Sequence, residues 1–375
     1  MSSDARPTSS RAAVLVGPNR ELEVWSVDIP EVQRGCALIR TSTTGVCGTD
    51  VHYWKGHVDL PYPTILGHES VGEIAELGEG VSADFLGRKV SEGDKVFWIS
   101  SITCGKCYYC AIEKDMTSCL NRKGYGNLWS CRTFPYLVGG YSEYVYLPEG
   151  AAFVKVPDNV KDDEALAFGC GGPTIVKGVE YAGGIQEGSS VVIQGCGPVG
   201  LFGVLWARLH GAETVICVGT PSLRLKMAEE LGATATIDIS EIKEPSNRKK
   251  KVLELTGGIG ADFCIEATGS PNAFPEGIEL TRTRGKYLLV GLYSDMGAVQ
   301  INPSTLIRKN MKVVGSKFAE PRHYYRMLET ISRVRTRYPV DRVVSHHFPL
   351  ERATEAILSV NRLEAIKSTI VPARD

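Results

Sequence analysis

Three glycines spaced Gly195-x-Gly197-x-x-Gly200 follow the apolar run Val191-Val192-Ile193 after one residue, Gln194, and no other feature narrows the fold as sharply. A strand that turns tightly into a helix uses glycine for the turn, for close approach of a pyrophosphate to the backbone, and for packing helix on strand. The helix that opens there offers unpaired N–H groups and partial positive charge to phosphates. The surrounding pattern repeats the unit. Residues 191–194, 214–218, 263–266 and 286–290 are apolar runs of strand length, with helical stretches at 201–210 and 223–231. Such alternation builds a parallel sheet.

The first 165 residues or so read differently, as short alternating strands at 37–41, 72–77 and 95–99 punctuated by glycine turns, mostly antiparallel β. Val313 and Val314 open a tail of mixed character, with a helix expected at 353–361 and a closing strand at 368–371. A chain of 375 residues is long enough for two domains with separate cores. The class is therefore α/β, with a β-rich domain over 1–167 and 307–375 and a dinucleotide-binding domain inserted over 168–306. The apolar window 191–207 contains Gly195, Gly197, Pro198 and Gly200, which favours strand, turn and helix over a membrane span.

Charge excludes some partners. Lys plus Arg total 42 against 43 for Asp plus Glu, a net charge of -1, so no global field draws the chain to nucleic acid or to a membrane. The run Arg248-Lys249-Lys250-Lys251 reads as the solvated face of a helix. The opening MSSDARPTSSRAA has no apolar segment of a secretion signal and reads as a disordered lead-in, which predicts a cytoplasmic protein. In a reducing compartment eleven cysteines point to metal binding or plain burial rather than to disulfides.

Four of them, Cys104-x2-Cys107-x2-Cys110-x8-Cys119, can surround one zinc with thiolates and leave no open position. A zinc knuckle gripping nucleic acid is the alternative, but the run lacks basic flanks. Cys47, His68 and Glu69 form a scattered second set that can leave a position free. An open zinc site beside a closed one, in a chain with a dinucleotide turn, points to an enzyme handling an alcohol or a carbonyl.

Further segments sharpen this. Gly45-Val46-Cys47-Gly48-Thr49-Asp50-Val51-His52 precedes Gly67-His68-Glu69-Ser70-Val71-Gly72, Gly93-Asp94-Lys95-Val96 and the four cysteines. Gly139-Gly140-Tyr141-Ser142-Glu143-Tyr144-Val145, the glycine fingerprint and Glu266-Ala267-Thr268-Gly269 follow. In this order the motifs resemble the zinc-containing medium-chain alcohol dehydrogenases over most of the chain.

The resemblance implies a GroES-like β-rich catalytic domain with a Rossmann domain, two zincs per chain, NAD or NADP, and a homodimer or homotetramer. It carries Cys47 and His68 over as catalytic zinc ligands, with Cys170 in Gly169-Cys170-Gly171 as the third and Glu69 as a carboxylate near the metal. Asp50 matches the carboxylate that holds the zinc histidine in its ligating tautomer. Thr49 and His52 match a proton relay, and a zinc in such a set acidifies the alcohol. Gly195, Gly197, Pro198, Val199, Gly200, Gly219, Thr220, Arg224, Thr268 and Lys367 are the candidate cofactor-binding residues.

Departures from the family pattern are few. Eight residues separate Cys110 from Cys119 where seven are commonest, and Ser100 stands where an aromatic pocket residue is frequent. A roomier pocket follows unless Trp54, Trp98 and Trp129 refill it. An acidic residue accepting the adenosine ribose and repelling a 2′-phosphate is expected about twenty positions beyond the fingerprint. Gly219 stands there, with Thr220, Ser222 and Arg224 able to meet a phosphate, so the residues permit both cofactors and Gly219→Asp is expected to favour NAD. Cys36, Cys131, Cys196, Cys217 and Cys264 read as buried or incidental. Two rivals remain: a zinc polyol dehydrogenase in which a carboxylate such as Glu69 replaces Cys170 as ligand, and a non-catalytic zinc protein that binds NAD(P). Cys170 speaks against the first, and Cys47, Thr49, His52, His68 and Cys170 together against the second.

Overall fold

The computed structural model describes residues 6–292 and 294–372. It divides into two compact units, one of Met1–Gly169, Glu320–Ser332 and Val344–Asp375, the other of Cys170–Ala319 and Arg333–Val343.

The strand Ala37–Val46 is the spine of the first unit. It pairs antiparallel with Ser70–Leu77, with Tyr144–Leu147 and with the closing strand Lys367–Val371. Lys95–Trp98 and Phe153–Lys155 extend the sheet on one side, and Val344–Pro349 joins Lys367–Val371 on the other. Side chains alternate across a strand, so Leu38 enters one apolar cluster with Val14, Ile65 and Ile370. Its neighbours Ala37 and Ile39 enter the other, with Val96, Trp98 and Val145. A sheet buried on both faces explains why nine-tenths of this strand is apolar or small: Leu38→Ala would cost about 2–5 kcal/mol. The expected lead-in is partly overturned. Ser9–Leu15 is a strand pairing with Glu23–Asp28 and Thr64–Ile65, because Ala12, Ala13, Val14 and Leu15 are fully buried; residues 1–5 lie outside the described residues.

The second unit is a six-stranded parallel sheet in the order Ala235–Asp238, Thr214–Gly219, Ser190–Gln194, Ala261–Glu266, Thr281–Leu289, Lys312–Gly315. Numbered along the chain that order is 3-2-1-4-5-6, the Rossmann arrangement, whose ligand crevice lies beyond the C-terminal strand ends where the order reverses. The helices Pro198–Leu209 and Ser222–Glu230 follow the first two strands. Because Lys312–Gly315 pairs with residues 286–289, this unit runs on to Ala319, past residue 306 where the sequence placed its end.

The basic run is not wholly solvated. Arg248 on the helix Pro245–Leu255 is buried, with Nε and Nη2 on the Glu276 carboxylate at 2.6 and 3.0 Å and Nη1 on Ile242 O and Lys243 O at 2.8 and 2.5 Å. Glu276 supplies the countercharge that a buried guanidinium requires. The helix Pro321–Val334, hidden in the tail, buries Tyr324, Met327, Leu328 and Ile331 at helical spacing. No helix among the described residues is long and apolar enough to cross a membrane.

Candidate functional site

Two groups of donor atoms converge. The sulfurs of Cys104, Cys107, Cys110 and Cys119 all lie within 4.8 Å of one another. Cys107 Sγ is 3.5 Å from Cys110 Sγ and 4.0 Å from Cys119 Sγ, and Cys119 Sγ is 3.6 Å from Cys104 Sγ. Four sulfurs at tetrahedral corners about 2.3 Å from one zinc stand about 3.8 Å apart, so the four fit zinc, and all are free thiols. The eight-residue gap before Cys119 is taken up by the 3-10 turn Met116–Ser118, capped where Asp115 accepts from Thr117 N. Asn121 Nδ2 and the backbone N–H groups of Lys106 and Cys107 draw the Cys104 pKa down to about 6. Burial and the thiols of Cys107 and Cys119 push Cys110 up to about 12. A dication answers both, meeting a thiolate already favoured at Cys104 and relieving the crowding at Cys110.

The second group is Cys47, His68, Glu69 and Cys170, whose donor atoms also lie within 4.8 Å of one another. Cys47 caps the helix Gly48–Trp54, where its N–H donates to Asp50 Oδ2 at 2.9 Å. Tyr141 Oη donates to the same oxygen at 3.1 Å. Asp50 Oδ1 lies 3.2 Å from His68 Nδ1, which leaves Nε2 of that imidazole for the donor cluster. Burial disfavours a charged His68, but the Asp50 carboxylate and the Cys47 thiol outweigh it and hold the imidazole pKa well above its usual value. Two thiols and an imidazole with a carboxylate beside them form a nitrogen–sulfur donor set suited to zinc.

Glu69 has a partner that sequence reasoning placed elsewhere. Lys367, expected at the cofactor, has its ammonium on the Glu69 carboxylate, and both side chains are about 2% exposed. Gly169, with φ +48°, carries the chain past this pair to Cys170, and a Cβ there would overlap the Glu69 carboxyl group. Thr49 Oγ1 lies 3.6 Å from Cys47 Sγ. His52 is half-buried on the same helix, with Nδ1 3.0 Å from Nδ1 of His57. Trp98 is fully buried, with Trp129 packed on its cluster and Trp54 on the other, so these rings serve the two cores.

In the second unit the fingerprint sits at the end of Ser190–Gln194, with Gly197 as the N-cap and Pro198 at the first position of the helix that also carries Val199 and Gly200. Gly195 has φ +102°, and a Cβ there would come within 2.6 Å of Ala267 O. Glu266, to which sequence reasoning gave no role, is fully buried and builds the facing loop. Its Oε1 accepts from Thr268 N, Thr268 Oγ1 and Gly269 N at 2.7, 2.7 and 2.9 Å, and its Oε2 from Gly291 N at 3.0 Å. The signal available in the sequence was its place at the head of Glu266-Ala267-Thr268-Gly269, a charged residue ending an apolar run. At the end of the next strand, a Cβ on Gly219 would lie 2.6 Å from Cys196 Sγ, which itself lies 3.2 Å from Thr220 O. Cys196 is buried, as its sequence reading allowed, and its sulfur takes the space of a residue 219 side chain. Asp238 pairs with Gly219 across the sheet and accepts hydrogen bonds from Ser240 and Thr220. Arg224 is buried, and that burial lowers its pKa.

Comparisons with known proteins agree with this layout. Residues 33–158 match the alcohol dehydrogenase GroES-like domain and residues 198–333 the zinc-binding dehydrogenase family. The chain is 37% identical over 367 residues to 5-exo-hydroxycamphor dehydrogenase of Pseudomonas putida, covering 96% of this chain and 98% of that one. It is 33% identical over 339 residues to sorbitol dehydrogenase of Halalkalibacterium halodurans, covering 89% and 91%. The solved structure of an alcohol dehydrogenase from Thermotoga maritima superposes with a TM-score of 0.92 at 34% identity, covering 97% of this chain and all of that one.

Proposed function

The chain belongs to the zinc-containing alcohol dehydrogenase family, and from that premise we propose that Cys47, His68 and Cys170 hold its catalytic zinc and Cys104, Cys107, Cys110 and Cys119 a structural one. It is a zinc-dependent alcohol dehydrogenase that moves hydride between an alcohol and a nicotinamide cofactor, giving the aldehyde or ketone. The observation that carries the residue assignment is the convergence of two thiols and an imidazole, with Asp50 behind that imidazole.

Bound zinc lowers the pKa of an alcohol oxygen, and the nicotinamide accepts hydride. The chain's own residues do the rest. Asp50 holds His68 in the tautomer that presents Nε2, and its hydrogen bond to Cys47 N ties a second donor to the same carboxylate. Thr49 hands on the alcohol proton, and His52, three residues later on the same helix face, accepts it. Lys367 neutralises Glu69, which leaves the thiols and the imidazole as donors; this disfavours a polyol-type site with Glu69 in place of Cys170. The N–H groups at the start of Pro198–Leu209 receive the pyrophosphate, and Glu266 shapes the loop bearing Thr268 opposite them.

Without a carboxylate at Gly219, and with Thr220 and Arg224 beside it, both NAD and NADP are accepted. The relative named for 5-exo-hydroxycamphor supports a bulky cyclic secondary alcohol as substrate. Lys312–Gly315, the last strand of its sheet, offers an edge for pairing with a second copy, as a homodimer or homotetramer requires. Eleven free thiols suit a reducing cytoplasm. A nicotinamide absorbance screen with both cofactors tests the assignment. Cyclic secondary alcohols should give the highest kcat/KM; turnover confined to polyols would move the chain to the sorbitol dehydrogenase type, and none with any alcohol would overturn the reading.

A further inference from the structure

The helix Gly48–Trp54 closes in a way that adds a residue to its chemistry. Gly56 N–H donates to Tyr53 O at 3.1 Å and His57 N–H to His52 O at 3.0 Å, the two hydrogen bonds of a Schellman close. Gly56 has φ +74°, and a Cβ there would come within 2.8 Å of Pro18 Cβ, so conformation and space both demand glycine. This motif brings the residue after the glycine against the third-last helical residue, usually as an apolar contact. Here both residues are imidazoles. Their Nδ1 atoms are 3.0 Å apart and their ring centroids 5.2 Å, one ring donating and the other accepting. Thr49 and His52 are half-buried and His57 is exposed.

We propose that His57 is a positioning residue for His52 and the outer acceptor of the relay, taking up the proton that His52 releases from Nδ1. The inference rests on the assignment of His52 to that relay. As Nε2 of His52 gains the alcohol proton, the Nδ1–H bond of His52 breaks and a new N–H bond forms on the Nδ1 lone pair of His57. His57 then loses its Nε2 proton to water, so both rings end neutral. Exchange with solvent then resets both rings before the next turnover: His52 gives up its Nε2 proton and regains Nδ1–H, and His57 gives up its Nδ1 proton and regains Nε2–H. Burial of His52, His57 and Lys55 act together to lower the His52 pKa, so that His52 does not keep the proton it receives. Thr49, three residues earlier, carries no charge to oppose them.

The test uses the full-length zinc-loaded enzyme with His57→Phe, His57→Gln and His52→Gln. In His57→Phe, kcat for alcohol oxidation should fall several-fold on the acid side with KM for the cofactor unchanged, and added imidazole should restore it. His57→Gln keeps a hydrogen bond to His52 but cannot carry the proton, and should stay slow in the same range. An NMR titration of the His52 ring without substrate should give a higher pKa in His57→Phe, because the contribution of His57 that lowers it has been removed. An unchanged pH profile and no imidazole response in both His57 variants, with His52→Gln still slow, would overturn the role of His57 alone. An unchanged profile in all three would remove the relay and this inference with it.

Discussion

Asp50 and His68 meet at 3.2 Å, Oδ1 to Nδ1, and the other oxygen of the same carboxylate accepts from Cys47 N. One side chain with no exposed surface thus lies against two residues of the proposed donor set that are 21 positions apart in the chain. Asp50→Asn should keep the fold and weaken zinc binding at this site by about 10–100-fold. Competition with a chromophoric chelator measures it, and an affinity equal to wild type would show that His68 is oriented by something else.

Cys107 belongs to the closed set, so its loss should act on stability. Cys107→Ser is expected to lower bound zinc from two to one per chain and to reduce the midpoint of thermal unfolding, since a structural zinc contributes folding free energy. Metal analysis alongside calorimetry checks both numbers. Two zincs retained at an unchanged midpoint would contradict a structural role.

Asp84 supplies a pH dependence. Its Oδ1 accepts from Leu86 N and Arg88 N, each at 3.0 Å, and its Oδ2 from Arg88 Nε at 2.8 Å and Lys155 N at 3.1 Å. Burial opposes ionisation, but the Arg88 guanidinium and these N–H groups outweigh it and hold the pKa below the usual carboxylate range. A depressed folded pKa adds stability above the unfolded value, about 3.9, and that stability disappears as pH falls through the folded value. Asp84→Asn should therefore be less stable than wild type by about 1–3 kcal/mol near neutrality. Urea unfolding as a function of pH should show this gap closing below about pH 4; a gap that persists there would mean lost packing and not lost charge.

Gly219→Asp meets an obstacle that the sequence did not reveal. Cys196 Sγ lies 2.6 Å from where the new Cβ would stand, so the single variant should lose about 1–3 kcal/mol by overpacking. Adding Cys196→Ala should recover most of that loss and let the carboxylate shift dissociation constants toward NAD over NADP. Thermal unfolding and cofactor titration of both variants decide it. A single variant as stable as wild type would show that the sulfur moves aside freely.

What the sequence made legible was local. The fingerprint, the four cysteines and the Cys47-to-His52 helix each lie within a single turn or loop, so spacing alone places their side chains together. Four of the six Rossmann strands were legible for the same reason, each being an apolar run, whereas Ala235–Asp238 and Lys312–Gly315 were not read as strands of this sheet. What stayed hidden depends on distant pairing. Lys367 reaches Glu69 across 298 positions because the closing strand lies beside Ala37–Val46. Arg248 lies in a basic run, and only Glu276 on another helix makes it a buried residue. Lys312–Gly315 is too polar to announce itself as a strand, and its assignment comes from the neighbour it pairs with. The contact of His57 with His52 was local, and a histidine-x3-glycine-histidine ending to a helix was its available signal.

The account stands or falls on the open donor set. The decisive measurement is turnover of the best alcohol by Cys47→Ser, made beside metal content, circular dichroism and cofactor titration of the same sample. The predicted result is a folded protein that retains the structural zinc and binds the nicotinamide cofactor as wild type does, with turnover abolished. Near-normal turnover by that variant would contradict the assignment of Cys47, His68 and Cys170 to the catalytic zinc.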